Sequence, residues 1–121
     1  MTAMTNRIRT TSVEVRRLSP AEAEVWVTAE LDAVTPATEL RGRLVGPRCP
    51  GMSTVEVAYP FRPVPGLSAG PADRLTVRAI VPEPNLWTEK MPFVYEGTLE
   101  IWQDGQRCDT AAVSVPLRLP G

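Results

Sequence analysis

From Glu22 to Asp32 apolar and polar side chains alternate without a break: Val25, Val27, Ala29 and Leu31 fall on one side, Trp26, Thr28 and Glu30 on the other. Successive side chains of a β-strand point to opposite faces. This period of two therefore predicts a strand with one buried and one solvated face. Leu75, Val77, Ala79 and Val81 repeat the pattern over residues 75–81, and Val55, Val57 and Tyr59 do so over 54–61. Leu99 and Ile101 carry it in residues 98–103, Val13 and Val15 in 11–17. Residues 39–45 and 108–117 complete a set of seven predicted strands. No segment sustains an apolar period of 3.6 residues.

The punctuation between these segments suits short strands. Residues 18–22 (LSPAE), 33–38 (AVTPAT) and 46–51 (GPRCPG) read as turns and loops, and residues 62–73, with three Pro and two Gly, are too broken for regular structure. Asp104-Gly105 between two β-rich runs signals a two-residue hairpin, because a type I′ turn needs positive φ at both positions. Thirteen prolines also speak against helices, whose interiors tolerate Pro poorly. The pattern predicts one all-β domain, an antiparallel two-sheet β-sandwich over residues 11–120, after a flexible segment over 1–10.

A strict register from the hairpin pairs Gln103 with Gln106 and Trp102 with Arg107, and puts Cys108, Thr110 and Ala112 on the core face. The apolar residues at the end of that strand, Val113, Val115 and Leu117, have the opposite parity. A β-bulge near residues 109–113 is expected to shift the phase, with Gly97 on the partner strand accommodating it.

Composition narrows the chemistry. A net charge of −1 gives no electrostatic basis for nucleic-acid binding. The cations are twelve Arg and one Lys, Lys90, a bias expected from the codon usage of a GC-rich, bacterial genome. The first residues lack the apolar stretch of a signal peptide, and no apolar run approaches the ~20 residues that span a membrane. The chain as written is thus expected in the cytoplasm, without a membrane partner. With no histidine, the imidazole-dependent nucleophile systems and most zinc sites are excluded. Cys49 and Cys108 form no Cys-x-x-Cys motif, and no phosphate-binding glycine loop occurs. Glu22 with Glu24, and Glu96 with Glu100, are carboxylate pairs, but on alternating strands they read as a solvated face rather than an acid–base pair in a cleft. No enzyme, no metal and no cofactor are expected.

Residues 81–97 (VPEPNLWTEKMPFVYEG) gather three prolines and three aromatics between two strands. Pro82, Pro84 and Pro92 cannot donate ladder hydrogen bonds, so the chain here crosses between sheets. Leu86 and Trp87 then either plug the open end of the sandwich or, for Trp87, stack on a sugar; the plug is the preferred reading. Residues 74–118 resemble the last third of the immunoglobulin-like sandwich domain of family 2 glycoside hydrolases. Leu86 and Trp87 match that domain's turn, Pro92 and Tyr95 its strand start, Leu117-Arg118 its end. Asn85 and Pro116 depart from the Pro and Gly usual there. The resemblance implies an immunoglobulin-like fold of about seven strands. It also implies a module without a catalytic acid, because the family's catalytic barrel and sugar-binding domain have no counterpart here.

Two expectations complete the sequence reading. Trp102 and Trp26 fall on outward faces, with Arg107 lying on the Trp102 indole; they are the candidate contact residues, while Leu86, Trp87, Pro92 and Tyr95 form a structural plug. The expected function is a non-catalytic immunoglobulin-like module that binds an unidentified protein or acts as an accessory domain. The alternative is a stand-alone carbohydrate-binding module using exposed Trp. Second, in such a topology the third and sixth strands are antiparallel neighbours, so Cys49 and Cys108 lie near opposite ends of the sixth. Both should be free thiols, Cys108 buried beside Ile101 and Cys49 in a loop.

Overall fold

The computed structural model describes residues 6–64 and 73–119. The fold is all-β, and the strands in order are β1 (Ile8–Leu18), β2 (Glu22–Leu31), β3 (Thr38–Arg48), β4 (Val57–Pro60), β5 (Arg62–Pro63), β6 (Arg74–Pro82), β7 (Val94–Gln103) and β8 (Gln106–Val115). They form two antiparallel four-stranded sheets, ordered β1-β2-β6-β5 and β4-β3-β7-β8. The eighth strand beyond the expected seven is β5, two residues within the stretch expected to be irregular, much of which (65–72) lies outside the described residues. β1 starts at Ile8, and Asn6 before it is buried. Residues 6–10 therefore belong to the fold rather than to a flexible segment; residues 1–5 and 120–121 lie outside the described residues.

The inner faces are the ones that alternation marks. Ala23, Val25, Val27, Ala29 and Leu31 of β2 are fully buried, and Val77, Ala79 and Val81 of β6 face the same interior. Leu99 and Ile101 of β7, Leu40 and Leu44 of β3, and Val113 and Val115 of β8 meet them from the other sheet. β4 breaks the pattern. Its alternation is real, but Val55 is 87% and Val57 47% exposed, so neither is core. Only Val57–Pro60 pair with β3, and Val55 precedes that short edge strand. Val13, on edge strand β1, is also 38% exposed.

The hairpin forms as its dipeptide dictates, with φ of 52° at Asp104 and 76° at Gly105. Gln103 opposes Gln106 and Trp102 opposes Arg107. The phase shift also exists, but at Cys108, between the Trp102–Arg107 and Ile101–Asp109 pairs, rather than at 109–113. The bulge follows the turn at once, and the ladder runs regularly from Asp109 to Val115. Cys108 is consequently half-buried rather than enclosed. Gly97 sits opposite Val113 in regular register and serves packing instead. A Cβ there would lie 2.6 Å from Val113 Cγ2 and 3.4 Å from the Phe61 ring, so the missing side chain is the room those two occupy.

Both cysteines are free, and Cys49 is buried. β3 pairs β7 with Arg48 opposite Val94, while Cys108 lies beside Ile101 at the far end of β7. Seven residues of strand separate those ends by on the order of 20 Å, well beyond disulfide reach.

The two ends of the sandwich close differently. At one, Tyr95 is 1% exposed, its ring lies against Gly46, and its Oη accepts the Asn85 N–H at 2.9 Å. Pro84 is buried there, and Leu86 packs on the core. Trp87, expected to be the main plug, is only half-buried, as is Pro92. The Trp87 N–H donates to the Leu117 carbonyl at 2.8 Å. At the opposite end a polar cluster takes over. Thr38 Oγ1 donates to Gln103 Oε1 at 2.6 Å, Gln103 Nε2 donates to Thr35 Oγ1 at 3.0 Å, and Asn6 Nδ2 donates to the Ala33 carbonyl at 2.6 Å. Each group is satisfied by another, so burial of Asn6, Thr38 and Gln103 leaves no orphan.

Candidate functional site

Surface indoles are the strongest candidates for a contact site, and each is built from its strand upward. Trp26 points out of the β1-β2-β6-β5 sheet, between Glu14 of β1 and Arg78 of β6. Glu24, two residues earlier, shares its face, and the indole Nε1–H donates to Glu24 Oε1 at 2.5 Å. Arg78 Nη1 donates to the same oxygen at 3.2 Å, and Arg17 lies 3.9 Å from the other. The register of β1 shifts between Val15 and Arg17, making Arg16 the extra residue of a bulge. This bulge lets Arg16 and Arg17 both face outward, and the Arg16 guanidinium lies 3.8 Å from the Trp26 ring centroid.

The other sheet repeats the arrangement. Glu100 and Trp102 share the outer face of β7, and the Trp102 Nε1–H donates to Glu100 Oε1 at 3.3 Å. Arg107, directly opposite Trp102, does not lie on the indole as expected. Its Nη1 donates to Glu100 Oε2 at 3.1 Å. A charge-assisted bond to a carboxylate is stronger than a cation–π contact at an exposed site, so Arg107 goes to the acid. The indole is covered from the other side, by Arg41 of β3 at 4.2 Å. Trp87, at the end of the sandwich, carries Arg118 at 4.3 Å.

Thus every tryptophan bears an arginine, and two of them donate to a glutamate that is itself ion-paired. The glutamates respond. The Trp26 indole, with Arg78 and Arg17, holds the Glu24 carboxyl below the ordinary range; Arg107, with Trp102, does the same for Glu100. Burial pushes the Tyr95 phenol up. The sequence signal for the paired motif was the repeat Glu-x-Trp, EVW at 24–26 and EIW at 100–102. The arginines come from neighbouring strands or the chain's end, beyond the reach of local pattern. Gln103 had a local signal, its parity with Leu99 and Ile101.

The candidate residues do not converge. Trp26 and Trp102 lie on the outer faces of opposite sheets, and Trp87 lies at one end. Leu86, Trp87 and Tyr95 do gather there, Tyr95 as the inner closure. Hollows lie among the described residues. One of about 410 Å³ is lined by Leu40, Gly42, Phe61, Leu75 and Val77; another of about 500 Å³ lies between Cys49, Met52, Glu56, Val94 and Glu96. In the latter, Glu56 is already bridged by Arg48 at 2.8 Å. Among the described residues, no three His, Cys, Asp or Glu side chains are placed to hold a metal ion.

No protein-family model and no curated protein matches the sequence. Solved structures do match. A glycosyl hydrolase family 2 member from Bacteroides cellulosilyticus DSM 14838 superposes with a TM-score of 0.65 at 22% identity, over 93% of this chain and 15% of that one. A β-glucuronidase from glycoside hydrolase family 2 superposes with a TM-score of 0.58 at 14% identity, over 93% of this chain and 12% of that one. At these identities the likeness establishes the fold, and it bears out the resemblance carried by residues 74–118. This chain spans about 15% of the length of the first of these proteins, so most of it has no counterpart here.

Proposed function

We propose that the chain is a non-catalytic immunoglobulin-like module that acts as an accessory domain and contacts protein rather than sugar. The observation that carries this reading is the occupancy of the indoles. A sugar ring binds a bare aromatic face, yet Trp26, Trp87 and Trp102 each lie under a guanidinium. Displacing Arg16 or Arg41 would also break its ion pair, with Glu14 or with Glu39. The carboxylates beside the indoles argue the same way. A general acid needs a raised pKa, whereas Glu24 and Glu100 are held low.

An accessory role is supported by the likeness to a small part of much longer family 2 glycoside hydrolases. Protein contact is supported by the exposed apolar side chains of Met52, Val55 and Val57. The reading needs no cofactor, nucleic acid or membrane. It is tested by crosslinking in the cells that make the protein, followed by purification and mass spectrometry. The expected result is a stoichiometric protein partner crosslinked near residues 52–57. Hydrolysis of aryl glycosides by the purified chain, or its retardation in a polysaccharide gel, would overturn the reading.

A further inference from the structure

A β-sandwich has four sheet edges, and proteins guard such edges with charge, proline, bulges or brevity. Three edges here are guarded. β1 carries Arg9, Glu14, Arg16 and Arg17 and two register shifts. β4 has four residues and ends in Pro60; β5 has two and ends in Pro63. β8 differs. From Thr110 to Val115 it has no charged residue, no proline and no break in register with β7.

We propose that this edge pairs with the same edge of a second copy of the chain, antiparallel about a two-fold axis at Ala112. In an antiparallel ladder alternate residues turn their N–H and C=O toward the partner and the rest turn them away. Counting from the Gln103–Gln106 pair through the bulge, Ala111 and Val113 bond to β7, while Thr110, Ala112 and Ser114 turn their backbone groups to an edge that no described strand covers; the Thr110 N–H there donates to Asp109 Oδ1 at 2.8 Å and exchanges that bond on pairing. The axis at Ala112 sets Thr110 opposite Ser114, Ala111 opposite Val113 and Asp109 opposite Val115. Hydroxyl faces hydroxyl, and no like charges meet.

The register is bounded on both sides. Pro116 has no N–H, and Cys108 is bulged, so the regular run 109–115 is centred on residue 112. The side chains of Thr110, Ala112 and Ser114 are exposed on the outer face, so the pair requires no repacking of the core. The product is a continuous eight-stranded sheet, β4-β3-β7-β8 followed by its two-fold copy.

Sedimentation equilibrium over a range of concentrations tests this on the whole chain, beginning with whether twice the 13.2 kDa mass is reached. Ala112→Lys sets two ammonium groups against each other at the axis, and Ala112→Glu two carboxylates. Each variant alone should stay monomeric, and an equimolar mixture should restore the dimer. Hydrogen exchange on the unsubstituted chain gives a second readout that does not depend on the variants' folding: the amides of Ala112 and Ser114 should gain protection as concentration rises. A monomer at all concentrations, a dimer indifferent to Ala112→Lys, variants that fail to pair when mixed, or protection at those amides that ignores concentration would each overturn the proposal.

Discussion

Gly42→Ala should be among the most damaging single-methyl changes in this molecule. Gly42 sits in the middle of β3 opposite Leu99 of β7, with φ of 154°, where L side chains rarely go. A Cβ at this position would lie 1.9 Å from the Thr98 carbonyl oxygen. Real Cβ contacts do not fall below about 3.0 Å, so β3 and β7 must part locally by about 1 Å. Both are central strands, hydrogen-bonded on both sides, and the obstructing atom is backbone that cannot rotate away. Backbone strain of this kind costs on the order of 1–3 kcal/mol, and forced separation of packed elements about as much again. The sum, ~2–6 kcal/mol, is a large part of the ~5–15 kcal/mol that holds a typical domain together.

Urea denaturation followed by tryptophan fluorescence measures it. With a slope of about 2 kcal/mol/M, the midpoint should fall by ~1–3 M. Gly105→Ala is the control. It also has positive φ, but nothing lies within 4 Å of the added methyl, so only the turn strain of about 1 kcal/mol remains. If Gly42→Ala costs no more than Gly105→Ala, the close β3–β7 approach is not a constraint and the reasoning fails.

Trp87→Ala should cost well below the ~3–5 kcal/mol of a fully buried Trp, since the indole is half-buried and its backbone bond to Leu117 survives; chemical denaturation reads this directly, and a loss in the full-burial range would restore Trp87 as the plug. Glu24 and Glu100 have folded pKa values below the 4.5 of the free side chain, so their contribution is present above about pH 4.5 and lost as pH falls through the folded values. The melting temperature should therefore drop on acidification below pH 4.5, less steeply in Glu24→Gln with Glu100→Gln, and an unchanged slope in that double variant would refute the linkage. Thiol titration of the denatured, unreduced chain should count two free thiols, and in the native protein half-buried Cys108 should react before buried Cys49; a count of zero would contradict the strand order.

Much of the fold was written in period-two alternation because the inner faces of β2 and β6 are wholly apolar, and that of β7 is apolar up to Gln103 at its end. Alternation does not say whether a face finds a partner. Residues 54–61 alternate as cleanly as β2, yet Val55 stays in solvent because it precedes the four-residue edge strand that follows. The bulge was inferable from the parity conflict between Cys108 and Val113, but its position was not, because any residue between them resolves the same conflict. Tyr95 is enclosed at the end of the sandwich while the larger Trp87 is only half-buried, because ring size does not decide which of two neighbouring aromatics faces inward. The outward indoles were legible. Their arginines were not, since Arg41 reaches Trp102 from a diagonal position on β3, and Arg107 prefers the carboxylate to the ring it opposes.

Whether these indoles are braces or a binding surface is decided most directly by their own fluorescence. Titrating the chain with a panel of soluble polysaccharides and oligosaccharides, while following tryptophan emission, reports on Trp26, Trp87 and Trp102 together. Because each ring is covered by its arginine, the emission should neither shift nor quench with any sugar. A saturable change that is abolished by Trp26→Ala, Trp87→Ala or Trp102→Ala would show that a sugar displaces the guanidinium, and would contradict the account.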